Sequence, residues 1–186
     1  MSAARDRVLH TATKLFHREG IRAVGVDRIA AEAGVSKMTL YRHFATKDDL
    51  VAAVLVARDE PALALLAAAA DHAEGGARGA LLAPFALLDP WFASRGFRGC
   101  PFMNARLELA DADHPASVVA ARHKAATRDH FHARAVAAGA ADPDALADQL
   151  AILFDGAIVQ AQLRDPASVA AAARAAATAL VDAALG

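Results

Sequence analysis

Lys37, Met38, Thr39, Tyr41, Arg42 and His43 gather two cations, hydrogen-bonding groups and an aromatic ring within seven positions. Leu40 and Phe44, four apart in the same stretch, fall on one side of a helix and turn inward, leaving the other six facing out. Cations and donors on one short exposed helix suit contact with phosphate oxygens and with base edges in a duplex groove. Ser36, immediately before the stretch, is a favourable N-cap.

The elements that must hold this set are legible in residues 26–47, VDRIAAEAGVSKMTLYRHFATK. Ile29, Ala30 and Ala33 share one face of a first short helix, and Gly34 stands where a left-handed residue would close it. Val35 plugs the angle before the second helix. The pattern is a helix-turn-helix with residues 37–44 as the recognition helix. An ordinary helical corner would explain Gly34 and the apolar spacing, but not Tyr41 on the polar side among cations.

The run AAEAGVSKMTLYRHF, followed by Lys47, resembles the DNA-binding domain of the tetracycline-repressor-like (TetR) family of bacterial transcriptional regulators. The likeness is dense over roughly the first fifty residues. It implies double-stranded operator DNA as partner, with Tyr41 and Lys47 on phosphates and Lys37, Met38, Thr39 and His43 nearer base edges. It also implies a homodimeric repressor released from its operator by a small-molecule effector, with a DNA-binding regulator of the same fold that senses no ligand as an alternative. One departure stands out. The family's Thr or Ser that starts the second helix and touches a phosphate is replaced by Gly25 and Val26. Gly is an acceptable cap without a side-chain oxygen, and Asp27 offsets part of the loss through the helix dipole.

Charge distribution fits this reading. Residues 1–50 hold nine Lys or Arg against six Asp or Glu, a balance of +3, whereas the remaining 136 carry −4. Only the N-terminal part is basic, as expected if that part alone meets DNA. Hydrophobic residues make up 56% of the chain, much of it the strong helix former Ala, while β-branched and aromatic residues are few; long strands are not expected. A single Cys excludes an internal disulfide framework and suits a reducing cytoplasm. No stretch reads as both long and apolar enough to span a membrane, and residues 1–10 lack the apolar core of a signal peptide.

The expected fold is all-α with about nine helices: a three-helix DNA-binding domain over 1–46, then a helical bundle for ligand binding and dimerisation over 47–186. Helix one spans 3–19, with Ser2 as cap and Gly20 as stop, and buries Val8, Ala12, Leu15 and Phe16. Thr46 and Asp49 form a capping box for the fourth helix, whose Leu50, Val51, Val54 and Leu55 make an apolar face. A kink or break is expected near 59–61, because Pro61 lacks an N–H. Residues 77–93 read as one helix kinked at Pro84 and Pro90. After a loop over 94–101, helices follow over 102–110, 115–138, 143–163 and 166 to the end. The last two are apolar over much of their surface. In TetR relatives they pair with those of a second copy, which places Leu146, Leu150, Leu153, Phe154, Ile158, Leu180 and Val181 on a dimer seam. The alternative is burial wholly within the monomer.

The middle of the chain concentrates Trp91, Phe92, Phe97, Phe102, Met103, Phe131 and Phe154, with Asn104, Glu108, His123 and Gln160 as polar groups that could orient a small molecule. Aromatics that simply form the core are the alternative for each, and the resemblance favours an effector pocket for the set. Cys100 belongs to the same region and has two readings. One is a thiol sensor activated by Arg95 and Arg98; the preferred one is a small buried hydrophobe. No metal is expected, since His130 and His132 diverge on a helix. No cofactor is expected, and no phosphate loop, nucleophile elbow or zinc-hydrolase motif supports catalysis.

Overall fold

The computed structural model describes residues 2–186, and all regular structure among them is helical. The ten helices are α1 (Ala3–Glu19), α2 (Val26–Glu32), α3 (Lys37–His43), α4 (Lys47–Asp71), α5 (Gly76–Ala86), α6 (Leu88–Phe92), α7 (Pro101–Leu109), α8 (Pro115–Ala137), α9 (Pro143–Gln160) and α10 (Pro166–Leu185). The one beyond the expected nine arises at Leu87, where the helix expected over 77–93 divides. Pro90 has no N–H to donate to the Ala86 carbonyl four residues back, and the Leu87 N–H turns back instead to the Pro84 carbonyl at 3.2 Å. Restarting at Leu88 places Pro90 in a first turn, where a missing N–H costs nothing. Pro61 behaves otherwise: α4 runs through it without a break.

Local chemistry fixes the other ends. Gly34 adopts φ +63° after α2. The Ser36 side chain caps α3 by accepting the Thr39 N–H at 3.1 Å. Thr46 and Asp49 cap α4 reciprocally, each side chain accepting the other's backbone N–H at 3.0 Å. Asp142 and Asp165 cap α9 and α10, each followed by a proline at the first helical position.

The chain forms two compact units, and neither is one stretch of sequence. The first runs as far as Glu60 and includes Pro101–His123; the second comprises Pro61–Cys100 and Lys124–Gly186. In the first, Val8, Ala12 and Leu15 of α1 are buried together with Ile29, Leu40, Leu50 and Val51. Phe102 and His123 are buried there too, their rings stacked at 3.6 Å. The Nδ1 of His123 lies 2.8 Å from the Asp59 carboxylate; a carboxylate only accepts, so Nδ1 carries the proton.

In the second unit, α10 packs on α5, α6 and α9. Phe85, Phe131 and Phe154 form a buried cluster with ring centroids 5.6–6.1 Å apart. By length and composition α10 could cross a membrane, contrary to the sequence reading. Alanine accounts for this: it raises hydropathy without bulk, and here the helix buries Val169, Ala170, Ala173, Ala177 and Val181 against its neighbours.

Candidate DNA-binding surface

α3 presents its outer side as the spacing of Leu40 and Phe44 requires, both being buried. Met38 is 83% exposed and Tyr41 40%, an uncovered thioether and aromatic on a seven-residue helix. Arg42 is exposed as well. Thr39 is half-buried, its hydroxyl 2.9 Å from that of Ser36. His43 is also half-buried, with Nε2 enclosed and without a hydrogen-bond partner.

Most cations of this region already have internal partners. Lys37 lies 2.7 Å from Asp27, and this hydrogen bond, with the attraction of the carboxylate, raises the Lys37 pKa. Arg28 bridges Glu19 at 2.5 Å and Glu32 at 2.8 Å. Hydrogen bonds from Arg28 and then Arg18 hold the Glu19 pKa down at about 2. The Arg7 Nε donates to the Ala33 carbonyl at 3.1 Å, and the Arg5 guanidinium sits 5.2 Å from the centre of the Phe44 ring. Lys47 is half-buried and donates to the Ile21 carbonyl at 2.6 Å.

The residues expected around an effector are not gathered in one unit. Phe102, Met103, Asn104, Glu108 and His123 lie in the first; Trp91, Phe92, Cys100, Phe131, Phe154 and Gln160 lie in the second. Trp91 and Phe92 cluster with Phe97, while Phe131 and Phe154 pack with Phe85. Cys100 is buried, and Gln160 and Asn104 are exposed. Glu108 accepts the backbone N–H groups of Ile21 and Arg22.

A cavity of about 50 Å³ in the first unit is lined by α1, α4 and α7, with Asn104 and Glu108 on its wall. A more open cleft of about 520 Å³ in the second unit is lined by α5 together with Ala69, Glu74, Arg174 and Thr178, and by none of the residues expected from the sequence. Its lining mixes small residues with the larger Leu82, Phe85 and Leu87 and the charged Glu74, Arg78 and Arg174, a composition that gives no motif to read.

The expected seam residues are also redistributed. Leu146, Leu150, Phe154, Ile158 and Val181 are buried within the single chain, so their side chains are taken up by its own core. Leu153 and Leu180 are half-buried. On α9 and just beyond it, the exposed large apolar side chains are Ile152 (73%), Val159 (45%) and Leu163 (77%).

Residues 8–54 match the family model of bacterial regulatory proteins of the tetR family. A helix-turn-helix-type transcriptional regulator of Staphylococcus aureus is 48% identical over 46 residues, a match that spans a quarter of each chain. Likeness over the whole length comes from solved structures. A TetR-family transcriptional regulator from Streptomyces coelicolor is 36% identical, with a TM-score of 0.92 over 100% of this chain and 98% of that one. A Streptomyces avermitilis protein described as a TetR transcriptional regulator is also 36% identical, with a TM-score of 0.86 over 99% and 98% of the two chains. With the capped α3, its exposed outer side and this end-to-end likeness, the chain belongs to the TetR family of transcriptional regulators, a family of DNA-binding regulators rather than enzymes.

Proposed function

We propose that the protein is a cytoplasmic homodimeric repressor that binds double-stranded operator DNA through α3 of each copy and is released by a small-molecule effector. The carrying observation is the outer side of α3, where Met38 and Tyr41 are exposed beside Lys37 and Arg42. In this reading Tyr41, Arg42 and Lys47 meet phosphates, and Lys37, Met38, Thr39 and His43 read bases, within a DNA-binding part over 1–46. Lys37 exchanges Asp27 for DNA on binding.

Dimerisation and effector binding fall to residues 47–186. Support for a dimer comes from the uncovered row Ile152, Val159 and Leu163, at helical spacing with the exposed Gly156 among them. α10 offers a matching small-residue row, Ala172, Ala176, Ala179 and Ala183, all exposed. Large side chains on one helix against alanines on the other suit close packing of two such pairs. We place the effector in the cleft of about 520 Å³, which falls within the usual size of small-molecule sites.

The effector acts by shifting the dimer to a spacing of recognition helices that no longer fits the operator. Coupling is reciprocal, so operator DNA must weaken effector binding by the same factor. The test is to recover bound duplexes from a genomic fragment pool, then titrate a ligand found by thermal-shift screening, with and without duplex, while following mass in solution. A dimer throughout, with weaker ligand binding when duplex is present, is expected. Equal ligand affinity in both titrations, or dissociation to monomers on release, would overturn the mechanism.

A further inference from the structure

The connector between α1 and α2 is held from two sides at one residue. From one side the Glu108 carboxylate, near the C-terminal end of α7, accepts the N–H of Ile21 at 2.9 Å and that of Arg22 at 2.6 Å. From the other, the Lys47 ammonium at the start of α4 donates to the Ile21 carbonyl at 2.6 Å. The Arg22 guanidinium also donates to the Leu109 carbonyl, at 3.3 Å. Gly20 completes the fit. Its φ is +88°, and a Cβ there would come within 3.1 Å of a Glu108 oxygen. A side chain would be both strained and pressed against the carboxylate.

Two consecutive backbone donors on one carboxylate form charge-assisted hydrogen bonds, which are shorter and stronger than neutral ones. A glutamine could offer one oxygen, but its NH₂ would face a donor. An ammonium has three donors, so Lys47 can keep Ile21 and still meet a phosphate. Its flexible four-carbon arm is then aimed before DNA arrives.

We propose that Glu108 is a positioning residue for DNA binding: from α7 it fixes the Ile21–Arg22 connector and, through the Ile21 carbonyl, the direction of the Lys47 ammonium. This rests on the reading of Lys47 as a phosphate contact. A shift of the C-terminal end of α7 would then reach Lys47 without any change within α3.

The test compares wild type with Glu108→Gln, Lys47→Gln and the double variant. The probe is a duplex that wild type recovers from a random-sequence pool, titrated at several salt concentrations. Melting curves and amide hydrogen exchange are recorded alongside. Lys47→Gln, which removes one phosphate contact from each copy, should weaken binding at least about tenfold and reduce the salt slope by about two per bound dimer. Glu108→Gln should speed exchange at Ile21 and Arg22 and weaken binding about three- to fivefold.

The sign of that second loss is diagnostic, because removing a negative charge would by itself strengthen binding to DNA. The double variant should bind no more weakly than Lys47→Gln alone, since Glu108 acts through Lys47. Should Glu108→Gln melt below the assay temperature, Glu108→Asp keeps the charge, shortens the reach and is expected to give the same non-additive loss. If Lys47→Gln leaves affinity and salt slope unchanged, the phosphate reading of Lys47 fails and the proposal falls with it. If Lys47→Gln weakens binding but Glu108→Gln does not, or the two losses multiply, the proposal is overturned while the Lys47 reading stands.

Discussion

The Lys37 ammonium lies 2.7 Å from the Asp27 carboxylate, so the first cation of the recognition helix is partnered before DNA arrives. Asp27→Asn removes that competitor. Exposed pairs are weak and screened by solvent, so duplex binding should strengthen by no more than about fivefold for each copy. In a Lys37→Gln background the same change should do no more than Asp6→Asn, which removes an exposed charge elsewhere on the first unit. Equal gains in both backgrounds, measured by titration of one duplex, would show that Asp27 acts only through the general field.

Ser36 holds the start of α3 through its bond from the Thr39 N–H. Ser36→Ala should cost about 1 kcal/mol of stability, and Thr46→Ala, which breaks the cap of α4, a similar amount. Denaturant midpoints with unchanged slopes are the measurement. A loss below a few tenths would mean that neighbouring packing, not the cap, sets these ends.

Glu19 supplies a pH test. Its pKa is held at about 2 by Arg28 and Arg18, against an ordinary 4.5. A lowered carboxylate stabilises the fold above its unfolded pKa, and that contribution is lost as pH falls through the folded pKa. The loss attributable to Glu19 should therefore fall between about pH 4.5 and pH 2 and vanish in Glu19→Gln. Carboxyl chemical shifts followed by NMR would report it. A Glu19 midpoint near 4.5 would show that the ion pairs do not persist in solution.

Ile152→Glu should convert the proposed dimer to monomer with little loss of fold, because Ile152 is 73% exposed. Leu150→Ala, at a fully buried site, should instead cost about 2–5 kcal/mol of stability. Sedimentation and melting distinguish the two outcomes. A dimer that survives Ile152→Glu places the seam elsewhere.

Cys100 is buried, and its thiol should react with an exposed-thiol reagent only at the rate of local opening. Cys100→Ser should keep DNA binding and lose roughly 1–3 kcal/mol of stability if its hydroxyl finds no partner. Loss of duplex binding on treatment with an electrophile, absent in Cys100→Ser, would revive the sensor reading.

What the sequence made legible is local. Gly34, Ser36, the Thr46–Asp49 pair and the prolines at 115, 143 and 166 each act within a turn of chain, and each ends or starts a helix as read. Pro61 shows the limit of such rules, since α4 continues past it unbroken. On α9 the difficulty is different: Leu150, Ile152, Phe154, Ile158 and Val159 are apolar on more than one face. Periodicity could not tell Leu150, fully buried, from Ile152, fully outside the core. Glu108 was out of reach for a third reason. Its partners lie 86 and 87 residues away, and nothing in the local sequence marks a carboxylate destined for two backbone amides.

Neither unit is a continuous piece of chain: α4 passes from one to the other at Glu60–Pro61 and α8 at His123–Lys124. A single recombination crossover therefore cannot transplant a complete unit. A chimaera that joins residues 1–60 to a foreign body brings Ile21 and Lys47 but leaves Glu108 behind, exposing the connector amides to water. A faithful graft needs residues 101–123 as well, which demands three junctions, and shuffled regulators assembled at the end of the helix-turn-helix should bind DNA more weakly than either parent.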